Sequence, residues 1–212
     1  MKTPRPTPPS APLCMPGRKK TCSVPKAGRC APLVRAGLLE DGIVSPNAAE
    51  VLAVARALRG GAEGPGAGEL SSPAGEQAAG GADDLLGAAA EILEAGVGHV
   101  FLHAGPKGAV LCSRVAAPAP SSPRFSYVHL PALPARVAAA SGAGDCLAAA
   151  AIAALAGGSP PLEALALGVA AAKRAVESPV NVPTQALSDA RALIADAVAV
   201  LQRARPLGVG AS

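Results

Sequence analysis

The stretch Ser141-Gly142-Ala143-Gly144-Asp145 runs straight into an alanine-rich helical pattern. Two glycines let a backbone come close to a ligand, and a helix start offers unpaired N–H groups at the positive end of its dipole. Gly142, Ala143 and Gly144 can therefore form a cradle for an anion such as phosphate. A carboxylate at that spot repels the anion unless it serves the reaction. Asp145 has such a use if it accepts the proton of a hydroxyl that attacks the terminal phosphate of a nucleotide. The purely architectural alternative is tight packing at the glycines and a favourable acid in a first helical turn.

Asn47-Ala48-Ala49-Glu50 puts two oxygen-bearing side chains at the mouth of a second helix. Asn47 and Glu50 could hold water around a magnesium ion on nucleotide phosphates, and the same spacing also makes a capping box. Gly105-Pro106-Lys107-Gly108 is a turn between two strand patterns, for which a plain hairpin is a sufficient explanation. His99 and His103 share one strand face, yet no carboxylate or thiolate stands at ligand spacing, so these two and His129 are read as structural. Cys14, Cys22 and Cys30 recur every eight residues, which fits no zinc spacing. With five cysteines, an odd number, no disulfide framework is expected.

The elements that must position these residues follow from periodicity and punctuation. A short strand ends at Ile43-Val44, and Asn47 opens a helix to residue 58 with Val51, Val54, Ala55 and Leu58 on one apolar face. Residues 60–82 are a loop rich in Gly, Ala and Ser inserted in the domain. Asp83 caps a helix to residue 93, followed by strands at 97–104 and 109–112 and an edge strand at 127–130. Helices are expected at 145–156, 160–176 and 185–203, the last with Leu187, Ala190, Ile194, Val198 and Leu201 as its buried stripe. Strands alternating with helices indicate an α/β fold with helices packed on a sheet.

Charge is divided unevenly. Residues 1–37 hold eight of the 19 basic residues, none of the 15 acids and eight of the 22 prolines, and read as a disordered basic arm. The remainder is net acidic, so its 11 bases give no ground for a nucleic-acid surface. Two Phe, one Tyr and no Trp exclude a base-stacking platform, and nucleic acid is not expected as a partner. The longest apolar run, 147–156, is too short to span a bilayer. No signal-peptide core opens the chain, so the expected compartment is the cytoplasm. Mitochondrial import, suggested by the acid-free arm but opposed by its prolines, is the alternative.

In order and spacing, these motifs resemble the PfkB, or ribokinase-like, family of carbohydrate and nucleoside kinases. Ser141-Gly142-Ala143-Gly144-Asp145 matches the last five places of the family signature D-T-[TS]-G-A-G-D. The family's N-x-x-E element falls on Asn47 and Glu50 after Ser45-Pro46, and its strand-G-x-x-G-strand element on Gly105 and Gly108. Ser178 to Pro183, with Asn181, resembles the family's segment that closes over adenine. The resemblance covers residues 38–205, leaving 206–212 as a tail.

It implies a ribokinase-like sheet flanked by helices and ATP-dependent phosphorylation of a hydroxyl on a small nucleoside or sugar. Asp145 would be the base, Gly142, Ala143 and Gly144 the anion hole, and Gly105, Gly108 and Asn181 ATP contacts. Asn47 and Glu50 would hold Mg2+ through water, and a homodimer is compatible with the family. Leu130-Pro131-Ala132-Leu133-Pro134 ahead of the signature is similar to pseudouridine kinases. The signature's leading Asp is replaced by Ala139, which argues against a monovalent-cation site. The family's N-terminal strands and sugar-binding glycines have no counterpart before Leu38. The alternative expectation is therefore a truncated, inactive remnant that retains at most nucleotide binding or a protein-interaction role.

Overall fold

Alternation along the central strands sorts their side chains to the two sides of one sheet. A computed structural model describes residues 21–22, 27–60, 81–115, 122–180 and 182–208. In chain order the elements are β1 (Thr21–Cys22), α1 (Ala27–Arg35), β2 (Ile43–Val44), α2 (Ala48–Leu58), α3 (Ala82–Glu94), β3 (His99–His103), β4 (Ala109–Arg114) and β5 (Phe125–Leu130). There follow α4 (Ala143–Ala156), α5 (Pro161–Val176), α6 (Thr184–Ser188), α7 (Ala190–Gln202) and β6 (Arg205–Pro206). The sheet runs β1-β2-β3-β4-β5-β6, parallel through β3 and antiparallel beyond.

Val44, Val100, Leu102, Val110 and Cys112 point to one side, where α1, α2 and α3 cover them with Val34, Val51, Val54, Ile92 and Leu93. Ile43, Phe101, Ala109, Leu111 and Leu130 point to the other, against Leu147, Leu165, Val169 and Val200 of α4, α5 and α7. Each fully covered Val, Leu or Phe contributes roughly 1.5–3 kcal/mol relative to exposure. The result is three layers, helices on both faces of a mixed sheet, as expected of the α/β reading. Gly168 lets α5 cross α4 closely, because a methyl there would stand 2.7 Å from the Leu147 carbonyl oxygen. Among the described residues, no helix is long and apolar enough to cross a membrane.

Several local expectations are corrected. Regular structure is present ahead of Leu38: Thr21–Cys22 pairs with β2, and α1 buries Cys30, Ala31 and Val34. The prolines of the basic stretch concealed this helix, which carries Pro32 inside it. Arg35 donates hydrogen bonds to the carbonyls of Ala57 and Leu58, capping the C-terminal end of α2. Residues 1–20 and 23–26 of the arm, and 61–80 of the Gly/Ala-rich loop, lie outside the described residues. Gly81, not Asp83, precedes α3, and its N–H donates to Asp84. β5 is not an edge, since β6 pairs with it beyond β4.

The C-terminal helix is two helices, because Asp189 leaves helical backbone and caps α7 through the Ala192 N–H. Its buried face is correspondingly different from the expected stripe. Ala197 and Val200 are buried, whereas Ile194 and Val198 are 56% and 46% exposed.

An ion-pair cluster also ties α7 to α5. Asp196 receives hydrogen bonds from Arg174 at 2.7 and 3.0 Å and from Lys173 at 3.2 Å, all three side chains being about four-fifths covered. Replacing Asp196 by Ala leaves two cations without their shared acceptor. The expected loss is about 1–3 kcal/mol, between the values for exposed and fully buried pairs. A urea midpoint unchanged within error would contradict it.

Candidate active site

Beyond Val44, which pairs with Val100, the chain stays beside β3 as far as the Asn47–His103 bridge, at the carboxyl ends of the parallel strands, where α/β proteins bind ligands. Ser45 and Pro46 follow β2 and lead into Asn47, the N-cap of α2. The capping box is complete: Asn47 Oδ1 accepts from the Glu50 N–H at 2.9 Å, and Glu50 Oε2 accepts from the Asn47 N–H at 2.8 Å. Beside it, the His103 N–H donates to the Pro46 carbonyl at 2.9 Å, and Asn47 and His103 form a parallel bridge.

Gly142 brings the signature segment to the same place. Its φ of +81° is left-handed, a conformation glycine adopts without steric cost, and it turns the chain into α4 with the Cys146 N–H on its carbonyl. Upstream, the N–H groups of Ala138 and Ala139 donate to the Val176 carbonyl, fastening this segment to the end of α5. The first-turn amides of α4, among them those of Ala143 and Gly144, have no earlier helical turn to bond to. Gly144 sits over the His103 ring, where an added Cβ would lie 3.3 Å from Nδ1.

Asp145 is exposed in the first turn of α4, and its charge acts on Glu50 at the start of α2. The Glu50 carboxyl is raised above its usual range, first by burial and further by the Asp145 charge, with the Asn47 N–H opposing. Two residues 95 positions apart in the chain thus feel each other electrostatically. Among the described residues, no three His, Cys, Asp or Glu side chains gather closely enough to hold a metal directly. Asn47 and Glu50 nevertheless suit a hydrated divalent ion, being oxygen donors whose mouth carries two mutually repelling carboxylates.

The Gly105–Lys107 segment is a 3₁₀ turn two residues beyond His103. The Ala104 N–H donates to the Gly108 carbonyl at 2.8 Å, and the His129 Nε2 hydrogen-bonds the Lys107 carbonyl at 2.8 Å. Gly105 and Gly108 therefore stand at the same end of the sheet as Asn47 and Glu50. Asn181 lies outside the described residues. Starting from Asp145, an apolar groove of about 480 Å3 runs along α4 past Ala149 and Ala153, walled by Val182, Leu187 and Leu193.

His103 was set aside on sequence because no carboxylate or thiolate stood at ligand spacing. Its partner is Ser45, whose Oγ is 2.8 Å from Nε2 and 58 residues away. The available signal was adjacency: Ser45 precedes Asn47 by two residues and His103 precedes Gly105 by two. Burial pushes the His103 pKa down to about 4 from 6.5, so the ring is neutral near pH 7. The unfolded chain takes up that proton near pH 6.5 and the folded chain only near 4. Between these values the unfolded state binds more protons, so stability falls as pH falls, by up to about 3 kcal/mol. His103→Gln should remove this component from the difference in urea stability between pH 7.5 and 4; identical pH slopes for the two proteins would refute it.

Residues 43–182 match the model of the pfkB family carbohydrate kinases. Over 64 residues the chain is 45% identical to a pseudouridine kinase of Arabidopsis thaliana, covering 30% of this chain and 17% of that protein. Its fold is similar to a putative sugar kinase from Clostridium perfringens, with a TM-score of 0.56 and 17% identity over 89% of this chain and 48% of the other. It is also similar to the ribokinase of Arabidopsis thaliana complexed with ribose and ATP, with a TM-score of 0.53 and 22% identity over 76% of this chain and 42% of that one. The chain thus spans less than half the length of these relatives. With Asn47 to Glu50, the Gly105 turn and the Gly142 to Asp145 helix start all inside the matched residues, the chain belongs to the pfkB family of carbohydrate kinases.

Proposed function

We propose that this chain carries the phosphate-transfer site of an ATP-dependent kinase acting on a hydroxyl of a nucleoside, with pseudouridine as the preferred acceptor. The observation that carries the reading is that His103 joins the two helix starts: it packs against Gly144 of the α4 start, its N–H donates to Pro46, and its backbone bridges Asn47 at the start of α2. The acceptor's hydroxyl oxygen attacks the terminal phosphorus, a new O–P bond forms, the bond to the bridging oxygen breaks, and ADP leaves. Asp145 takes the hydroxyl proton. The amides of Gly142, Ala143 and Gly144 stabilise the charge on the transferred group.

Asn47 and Glu50 would hold Mg2+ through water, and the ion when bound neutralises phosphate charge. The apolar groove along α4, lined by Val182, suits a planar base, with Gly105 and Gly108 beside the phosphates. At about 1.5 Å per residue, the row Asp145, Ala149, Ala153 runs about 12 Å, enough for a nucleoside. The kinase unit is taken as residues 38–205 together with α1.

Identity with the pseudouridine kinase supports the acceptor, and the ribokinase whose complex holds ATP supports the donor. ADP release measured over pseudouridine, adenosine, ribose and fructose derivatives should give its highest kcat/KM with pseudouridine. Preference for a free sugar would correct the acceptor. No acceptor-dependent release from folded protein would reject the function.

A further inference from the structure

We propose that His103 is a positioning residue that holds the Gly142–Asp145 turn and the Asn47–Glu50 helix start at one spacing, so that a single Mg·ATP can engage both. This rests on the phosphate-transfer reading above and adds to it a residue outside the family's motifs. Four contacts support it. The ring's Nε2 shares a 2.8 Å hydrogen bond with Ser45, which is only 8% exposed. Its main-chain N–H holds Pro46, and its backbone bridges Asn47, so one side of His103 is locked to the residues that start α2. On the other side its Nδ1 edge lies against Gly144, inside the anion cradle.

The packing limits are tight on both sides. A methyl on Gly144 would lie 3.3 Å from Nδ1, a tight contact, so the ring packs close against the Gly144 backbone. Conversely, removing the ring leaves Ser45 without its partner and Gly144 without its floor. The two halves of the site then keep their own capping geometry while losing their common reference. A shift of about 1 Å between groups that act together can cost on the order of 100-fold. Sites held by a supporting shell fail in this way when the shell is removed.

The test is calorimetric titration of ATP, with and without Mg2+, into the full chain and into His103→Ala, Ser45→Ala and His103→Gln. In the wild type, Mg2+ should tighten ATP binding by at least about tenfold, or about 1.4 kcal/mol. In His103→Ala and Ser45→Ala that enhancement should fall to about twofold, with Mg-free ATP affinity within about twofold of wild type. Glutamine reaches Ser45 with its side-chain amide and should restore most of the enhancement. Ser45→Ala keeps the test open if His103→Ala does not fold. An enhancement unchanged in the alanine variants, or a parallel loss of Mg-free binding that glutamine does not rescue, overturns the positioning role alone. ATP binding by no protein, wild type included, overturns the proposed function and this inference together.

Discussion

Replacing Asp145 by Asn is expected to lower phosphate transfer by roughly 10²- to 10⁴-fold, or about 3 to 5 kcal/mol of transition-state stabilisation. ATP affinity should hold or improve. The proposed cradle would consist of main-chain amides of the Gly142 turn and α4, which the substitution leaves in place. The carboxylate itself contributes only repulsion toward bound phosphate. Loss of the Asp145 charge also removes one of the influences that raise the Glu50 carboxyl, so Glu50 should ionise more readily in the variant. The fold should be unaffected because Asp145 is exposed. Rates within threefold of wild type would remove Asp145 from the chemistry.

Gly108→Ala should be the most destabilising single methyl near the site. Gly108 has φ +102°, and an added Cβ would stand 2.1 Å from the Leu130 carbonyl oxygen and 2.5 Å from the Ala132 nitrogen. None of these is a flexible side-chain end, so the backbone must move. Strain of about 1–3 kcal/mol and displacement of about 1–3 kcal/mol combine to a loss of about 2–6 kcal/mol. Against a total stability of about 5–15 kcal/mol, that is a large fraction. Guanidinium unfolding measures it. ATP affinity in the surviving folded fraction should also weaken, since the displaced turn shares its strand end with His103. A midpoint equal to wild type would mean that the turn tolerates a rearranged backbone.

The legible part of the fold was the part written in short-range pattern. Asn47 and Glu50 at capping-box spacing start α2 as expected, and Val51, Val54 and Ala55 are buried on its face. The strands around the Gly105 turn and the helix after Gly142 also lie where periodicity puts them, with ends shifted by two residues.

What escaped depended on partners distant in sequence. Helix α1 packs on α2 despite the Pro32 inside it. α7 carries apolar residues on two sides, and the side that turns inward packs Ala197 and Val200 on α5, with Asp196 paired to Lys173 and Arg174 beside them. β5 became interior because Arg205–Pro206 returns to it, a two-residue strand with no periodicity of its own. In the site, both helix starts were readable as separate motifs. The contact of Ser45 with His103 was not, because it joins the ends of two strands that become neighbours only in the folded sheet.

Label transfer tests the assignment of a phosphate-transfer site most directly. Wild-type chain and Asp145→Asn are incubated with ATP labelled at the terminal phosphate, Mg2+ and pseudouridine, and the nucleoside is separated and counted. Labelled pseudouridine phosphate should form with the wild type and be lost by at least about 100-fold in the variant, at equal ATP occupancy. Wild-type protein that binds ATP yet transfers no label to pseudouridine or to any other tested hydroxyl would contradict it.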